Sequence, residues 1–237
     1  MAKIKYIHIP EEHNTKAATI VVPQFINLYS PKSVVDIGCG LGTWLKVFED
    51  HGVNDILGYD GSHLDLSKIA IDKSKIVIAD LEKEIKSDKT FDLAISLEVA
   101  EHISEKSAEN FVKSLCNLSQ TIIFSAAIPQ QGGQNHINEQ WPEYWQNLFL
   151  KHGYTSHDSL RELFWEHNQV DYWYKQNMFL VTGPKSPFYS KENKPIRKLV
   201  HPELLDIYYN TLKNISEGKV EKKQALKYLI KSVIRKK

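Results

Sequence analysis

The stretch SVVDIGCGLGTW, residues 33–44, carries the first decisive reading. A β-branched run ends in three alternate glycines, Gly38, Gly40 and Gly42, and a helical pattern, TWLKVFEDHG (43–52), follows at once. Glycines between a strand and a helix let the backbone turn sharply and come close to a ligand. The spacing is Gly-x-Gly-x-Gly, with Cys39 and Leu41 between the glycines and Asp36 two residues before the first. A dinucleotide fingerprint would place its third glycine one residue later, where Thr43 stands.

Working outward, four more short apolar runs follow: DILGYD (55–60), KIVIAD (75–80), FDLAISLE (91–98) and TIIFSAAIP (121–129). Between them lie a short helical stretch at Leu64–Ile69 and a longer one, VAEHISEKSAENFVKSLCNLS (99–119), with Ile103, Phe111, Leu115 and Leu118 at roughly helical spacing. Strands alternating with helices predict βαβ units and a parallel sheet covered on both faces. EEHNTKAATIVVPQFINLY reads as a helical lead-in, EYWQNLFLKHGY as a helix closed by Gly153, and QVDYWYKQNMFLVTG (169–183) as the last strand. Pro184 and Pro187 mark a boundary, so the expected division is 1–190 and a basic, helical extension over 191–237.

The 237 residues suffice for a core without disulfide or metal staples, and 42% hydrophobic with 25% charged residues is globular composition. Two cysteines, one inside the glycine loop, argue against a disulfide scaffold and fit a reducing, cytoplasmic setting. No apolar run is long enough to cross a membrane, and MAKIKYIHIPEEHN (1–14) lacks the sustained apolar stretch of a secretory signal. The net charge of +1 hides an asymmetry: residues 191–237 carry 13 Lys/Arg and 5 Asp/Glu, leaving an acidic body. An acidic body argues against a broad nucleic-acid-binding face; the basic tail keeps open a membrane-surface contact.

Asp60 closes the second strand run, where a carboxylate can accept both hydroxyls of a ribose, and Asp80 closes the third, placed for the exocyclic amine of an adenine. Both ends face the edge where open α/β sheets bind ligands. At this point the chain resembles the class I S-adenosylmethionine-dependent methyltransferases. The residues that carry the resemblance are VVDIGCGLG, GYDG, IADLE and FDLAISLEVAEHI, and it covers about 15–183. It implies a Rossmann-like, doubly wound, mostly parallel seven-stranded sheet with helices on both faces and an N-terminal helical lid. It also implies that Asp36 and the Gly38, Cys39, Gly40 and Gly42 backbone face the methionine part of the cofactor. Asp60 and Gly61 would hold the ribose, and Asp80 and Leu81 would flank the adenine. A nicotinamide enzyme is the competing reading; acidic groups suit a cationic sulfonium better than a pyrophosphate.

Glu98, Glu101 and His102 stand at i, i+3 and i+4, which share one face of a helix starting at the end of the fourth strand. A divalent cation would satisfy all three, and an oxygen-rich set with imidazole suits Mg²⁺, Mn²⁺ or Fe²⁺. The loop PQQGGQNHINEQW after the fifth strand supplies a fourth candidate ligand, His136. Glu-x-x-Glu-His followed by a histidine resembles two groups of metal-dependent O-methyltransferases, those of the ubiquinone pathway and those that modify the 2′-hydroxyl of small RNAs. Glu-His at a helix start also occurs with no metal, serving capping alone; His136 and His102 would then be the general-base candidates.

Asn138, Glu139 and Trp141 follow His136 and have the chemistry of a carbohydrate site, whereas Trp145, Leu148 and Phe149 read as a core stripe. His13 opens the lead-in helix and is a further acceptor-side candidate, competing with a surface role. FSAAIPQQGGQNHINEQWPEYW resembles a bacterial methyltransferase subgroup found with surface-polysaccharide biosynthesis. The resulting expectation is a cytoplasmic O-methyltransferase acting on a small polar acceptor. That acceptor would be a sugar or sugar-linked group, including a phosphate or phosphoramidate, of a capsule or lipopolysaccharide pathway. An RNA 2′-O-methyltransferase and a non-catalytic cofactor-binding regulator are the alternatives.

Overall fold

A computed structural model describes residues 6–7 and 13–219. They form two compact units, which divide after Leu199. In the first, a seven-stranded sheet runs in the order β3-β2-β1-β4-β5-β7-β6. Its strands are β1 (Ser33–Ile37), β2 (Asp55–Asp60), β3 (Ile76–Ile78), β4 (Leu93–Leu97), β5 (Thr121–Ser125), β6 (Thr155–His157) and β7 (Phe179–Thr182). β1 to β5 pair in parallel, and β7 lies antiparallel between β5 and β6. This is the Rossmann-like, mostly parallel architecture expected. The strand order reverses between β1 and β4, the switch point where such sheets open a crevice at their carboxyl ends.

Successive side chains on a strand face opposite ways, and the two apolar layers follow that alternation. Val34, Ile56, Leu93, Ile95 and Ile123 point to one layer, where they meet α1 (Lys16–Tyr29) and α2 (Thr43–Asp50). Val35, Ile37, Ala94, Ile122, Phe124 and Val181 point to the other, against α3 (Ala108–Leu118) and α4 (Pro142–Lys151). Each fully buried Leu, Ile, Val or Phe contributes about 1.5–3 kcal/mol, so the central strands anchor the edge that carries the site.

Three expectations are corrected. The stretch 99–119 is not one helix: single 3-10 turns at Ala100–His102 and Glu105–Ser107 precede α3. Residues 169–183 are not one strand, because α6 (Tyr172–Asn177) precedes β7; α6 and α5 (Ser159–Phe164) form a helical insertion between β6 and β7. The aromatic run Tyr172–Tyr174, of strand-favouring residues, imitated a strand there. β6 is a three-residue strand too short for periodicity to mark. The boundary near residue 190 moves to 199, because residues 191–199 belong to the sheet unit. Ile196 is buried in the α3–α4 layer, Gln146 Nε2 donates to the Lys194 carbonyl at 2.6 Å, and Arg197 pairs with Asp158 at 3.0 Å.

The second unit, Val200–Lys237, is described to residue 219 and contains α7 (Pro202–Ser216). The rest of the predicted helical extension, 220–237, lies outside the described residues. No described helix is long and apolar enough to cross a membrane.

Candidate active site

A cavity of about 1500 Å³ opens at the carboxyl edge of the sheet. The glycine loop forms its floor. Gly38, Gly40 and Gly42 all have positive φ, +86°, +51° and +73°, a region that L side chains rarely adopt. Gly38 also has no room for a side chain, since a Cβ there would stand 2.3 Å from Val99 Cγ2. The Gly38 and Cys39 amides both donate to the Tyr59 carbonyl. This ties the loop to the end of β2.

Asp60 anchors the same loop from beneath. Its carboxylate accepts from the Gly40 N–H at 2.7 Å and the Gly61 N–H at 2.6 Å, and His63 Nε2 lies 3.4 Å away. Each oxygen keeps a lone pair for a ligand hydroxyl. Burial raises the Asp60 pKa despite these donors. Asp36, 4% exposed, is pushed well above the usual carboxylate range by burial and then by the charge of Asp60. A cation in this part of the cavity would relieve both groups. Asp80 lies two residues beyond β3 rather than at its last position, and it lines the cavity with Leu81. Cys39 is buried with its thiol against Gly58, and burial raises its pKa.

The second half of the cavity is built on the residues after β4. Glu98 has φ +55°, and the next three-residue turn is 3-10, so the expected continuous helical face is absent. Glu98 is turned toward the β6–β7 insertion. It accepts from Asn177 Nδ2 at 3.0 and 3.1 Å and from Gln131 Nε2 at 3.0 Å. Burial nevertheless lifts its carboxyl to about 7.

The other three expected ligands do converge. Ligand atoms of Glu101, His102 and His136 all lie within 4.8 Å of one another. Glu101 is fully buried, and among the described residues neither carboxylate oxygen has a hydrogen-bond partner of normal geometry. The nearby amides of Glu101 and Ala127 lower its pKa, but burial and then the Glu98 charge outweigh them and raise it well above the usual range. An orphaned buried carboxylate is costly, about 1–3 kcal/mol or more when charged. His136 Nε2 stands 3.9 Å from Glu101 Oε1, while its Nδ1 bonds Glu139 Oε1 at 2.9 Å. His102 Nδ1 faces the Asn135 carbonyl at 3.3 Å. A carbonyl can only accept, so that contact places the His102 proton on Nδ1 and leaves a lone pair on Nε2. Burial and then the neighbouring His136 lower the His102 pKa to about 4, so the ring is neutral near pH 7.

The loop that carries His136 is held tightly to this turn. The Ile137 and Asn138 amides both donate to the Glu101 carbonyl, at 2.9 and 3.0 Å. Glu139 closes the loop on itself by accepting from the Gln130 and Gly132 amides. Gly133 leaves the space that the imidazole fills: a Cβ there would stand 2.1 Å from His136 Nε2.

The acceptor-side residues divide. His13 lines the cavity and bonds the Tyr6 hydroxyl at 3.1 Å. Asn138 and Trp141 do not line it: Asn138 is buried and bonded to Gln140, and Trp141 stands at the residue before α4. Glu139 acts through His136 and the loop. The cavity's aromatic wall is instead Tyr172, Trp173 and Tyr174, with Trp44 against Tyr174. Tyr172, Trp173 and Tyr174, and Asn177 beside Glu98, come from the insertion that the strand-like pattern concealed, whereas Trp44 comes from α2.

The family model for the methyltransferase domain matches residues 12–170. The chain belongs to this methyltransferase family. No curated protein matches it by sequence. Its structure is similar to that of the sugar N-methyltransferase KedS8 from Streptoalloteichus sp. ATCC 53650, with TM-score 0.58 and 10% identity over 73% of this chain and 90% of that one. It is also similar to magnesium protoporphyrin IX methyltransferase from Synechocystis PCC 6803 with bound SAH, with TM-score 0.53 and 13% identity over 75% and 89%. The methyltransferase domain of bacterial CtHen1-C gives 0.52 and 23% identity over 72% and 98%. At these identities the likeness is one of fold.

Proposed function

We propose that this methyltransferase transfers a methyl group from S-adenosylmethionine to an oxygen of a small polar acceptor, with a divalent metal at Glu101, His102 and His136. The acceptor class is a sugar or sugar-linked group, phosphate or phosphoramidate included, of surface-polysaccharide assembly. The observation that carries the reading is Glu101: a fully buried carboxylate, with no hydrogen-bond partner of normal geometry among the described residues, beside two histidines. The chemistry of this donor set fits Mg²⁺, Mn²⁺ or Fe²⁺.

Bound S-adenosylmethionine supplies an electrophilic methyl group, and the metal supplies a Lewis acid that favours the deprotonated acceptor oxygen. The chain does the positioning. The Gly38–Gly42 backbone admits the cofactor closely, Asp60 takes the ribose hydroxyls, and Asp80 with Leu81 borders the adenine. Asp36 faces the cationic end. Glu139 orients His136 through Nδ1, as an outer carboxylate does for a ligating imidazole. Glu98 holds Gln131 and Asn177 in place and is not part of the three-residue cluster. Without a metal, His136 would be the general base, its proton steered by Glu139.

The test uses protein stripped with chelator, labelled cofactor, and two acceptor preparations, polysaccharide extract and RNA. Metals are added back singly. Label in polysaccharide, dependent on added metal, is the expected result. Label in RNA would move the acceptor to the RNA class; full activity of metal-free protein would refute the metal assignment.

A further inference from the structure

Glu98 stands in the cavity wall with a charge that its neighbours do not offset. Its Oε1 accepts from Asn177 Nδ2 at 3.0 Å; its Oε2 accepts from the same nitrogen at 3.1 Å and from Gln131 Nε2 at 3.0 Å. Both partners are neutral amides, and among the described residues no Lys, Arg or His side chain pairs with this carboxylate. Two carboxylate oxygens offer about four acceptor sites, so these contacts leave room for a further donor. The residue is partly open to the cavity, and burial lifts its carboxyl to about 7. A cation in contact would draw it back down. A divalent metal is poorly served here, because the amides turn N–H groups rather than carbonyl oxygens toward the carboxylate.

The wall beside Glu98 is aromatic. Trp173 and Asn177 stand at i and i+4 of α6, so the indole lies on the helix face that bonds Glu98. Burial, and then the charge of Glu98, raise the pKa of the Tyr174 hydroxyl, which puts that ring within reach of the carboxylate as well. Tyr172 meets Trp173 edge-to-face with centroids 5.1 Å apart, and Tyr174 meets Trp44 at 5.2 Å. Tyr172, Trp173 and Tyr174 each keep part of their surface open and line the cavity. Ring faces attract a cation held within about 6 Å of the centroid. A hydroxyl would be satisfied by the carboxamides alone. A carboxylate without a cationic partner, set among aromatic rings, matches an organic ammonium, which brings N–H groups, positive charge and an apolar body together.

We propose that Glu98, Tyr172 and Trp173 form an acceptor subsite for an ammonium group carried on a ring. The ammonium meets the Glu98 carboxylate, and the ring lies against the aromatic wall of α6. Two sources of such a group exist, the acceptor and the methionine part of the cofactor. The acceptor is favoured, because the glycine loop and Asp36 serve the cofactor's cationic end, whereas Glu98 lies in the half of the cavity that holds Glu101, His102 and His136. The inference rests on the function proposed above and narrows its acceptor to an amino sugar, with the methylated oxygen at the metal cluster and the amine at Glu98.

The test is a ligand-observed NMR titration of the full chain, saturated with S-adenosylhomocysteine and free of metal, near pH 7. The probes are two matched pairs, D-glucosamine with D-glucose and cyclohexylamine with cyclohexanol. Each amine is expected to bind at least about tenfold more tightly than its neutral counterpart, the scale of a hydrogen bond to a charged group. Glu98→Gln should erase that preference, and Trp173→Ala should weaken the amines about fivefold, both with unchanged affinity for S-adenosylhomocysteine. Equal binding within each pair, no binding of any probe, or no effect of Trp173→Ala overturns the proposal, and these readings stand even where Glu98→Gln does not fold. A Glu98→Gln protein that melts cooperatively, loses affinity for S-adenosylhomocysteine and keeps the amine preference also overturns it, and assigns the ammonium to the cofactor. Amine preference in the cyclohexyl pair without binding of D-glucosamine supports the subsite and removes the sugar from the function proposed above. Neither metal nor methyl transfer is read, so failure of the metal assignment leaves the result standing.

Discussion

Metal addition should stabilise this protein, and one conservative substitution should remove that response. Glu101 buries both carboxylate oxygens with no hydrogen-bond partner of normal geometry among the described residues, and His136 Nε2 stands 3.9 Å from Oε1. A ligand that binds only the folded state stabilises it by RT ln(1 + [L]/Kd), about 2.7 kcal/mol at a hundredfold excess over Kd. For a chain of this size, 1 kcal/mol moves the midpoint by roughly 2–4 °C, so Mn²⁺ or Mg²⁺ at saturation should raise it by about 5–11 °C. Glu101→Gln keeps the shape but removes the anionic ligand, so the metal-dependent increment should vanish. The metal-free midpoint of the variant should stay within a few degrees of wild type, because an uncompensated buried carboxyl is exchanged for a neutral amide. Glu139→Ala tests the outer layer: with its Nδ1 partner gone, His136 should bind metal about 10–100-fold more weakly. Scanning calorimetry of chelator-treated protein, with and without each metal, reads all three. The reasoning is refuted if stripped wild type gains nothing from any metal, or if Glu101→Gln gains as much as wild type.

Asp60→Ala should weaken S-adenosylmethionine binding by about 1–3 kcal/mol, measured by titration calorimetry on folded variant; unchanged affinity would remove the ribose assignment, and a preference of the wild type for NAD would favour the nicotinamide reading. Glu98 titrates at about 7 in the folded protein against an ordinary value of 4.5. The folded state therefore holds more protons between those values, and its contribution to stability is present below about 4.5 and lost as pH rises through 7. Metal-free Glu98→Gln should show a shallower decline in urea stability over that window than wild type, by at most about 3 kcal/mol; identical slopes would contradict the shift. Ending the chain at Leu199 should leave cofactor binding intact, whereas ending it at Ser190 removes buried Ile196 and the Arg197–Asp158 pair and should cost at least about 2 kcal/mol, read from denaturation midpoints. Equal stability of the two truncations would restore the earlier boundary.

The sequence alone determined the sheet's parallel half and the ligand-facing edge, because both are local. A β-branched run followed by Gly38, Gly40 and Gly42 needs no distant partner to be read. Asp36, Asp60 and Asp80 take their positions from the ends of their own runs. His136 was legible as well, since a glycine-bearing loop after the fifth strand has to open on the same edge. Tertiary structure decided the rest. Only the fold shows that Glu98 is turned away to Asn177 and Gln131, because one positive φ breaks the helical spacing on which its grouping with Glu101 depended. Only the fold shows that Tyr172 and Trp173, not Trp141, wall the cavity, since a run of aromatics ahead of Met178–Thr182 suits a strand as well as the short helix they form. The lack of a hydrogen-bond partner of normal geometry for the Glu101 carboxylate among the described residues is likewise invisible in sequence: it is a property of everything packed around a residue, and periodicity carries no record of that.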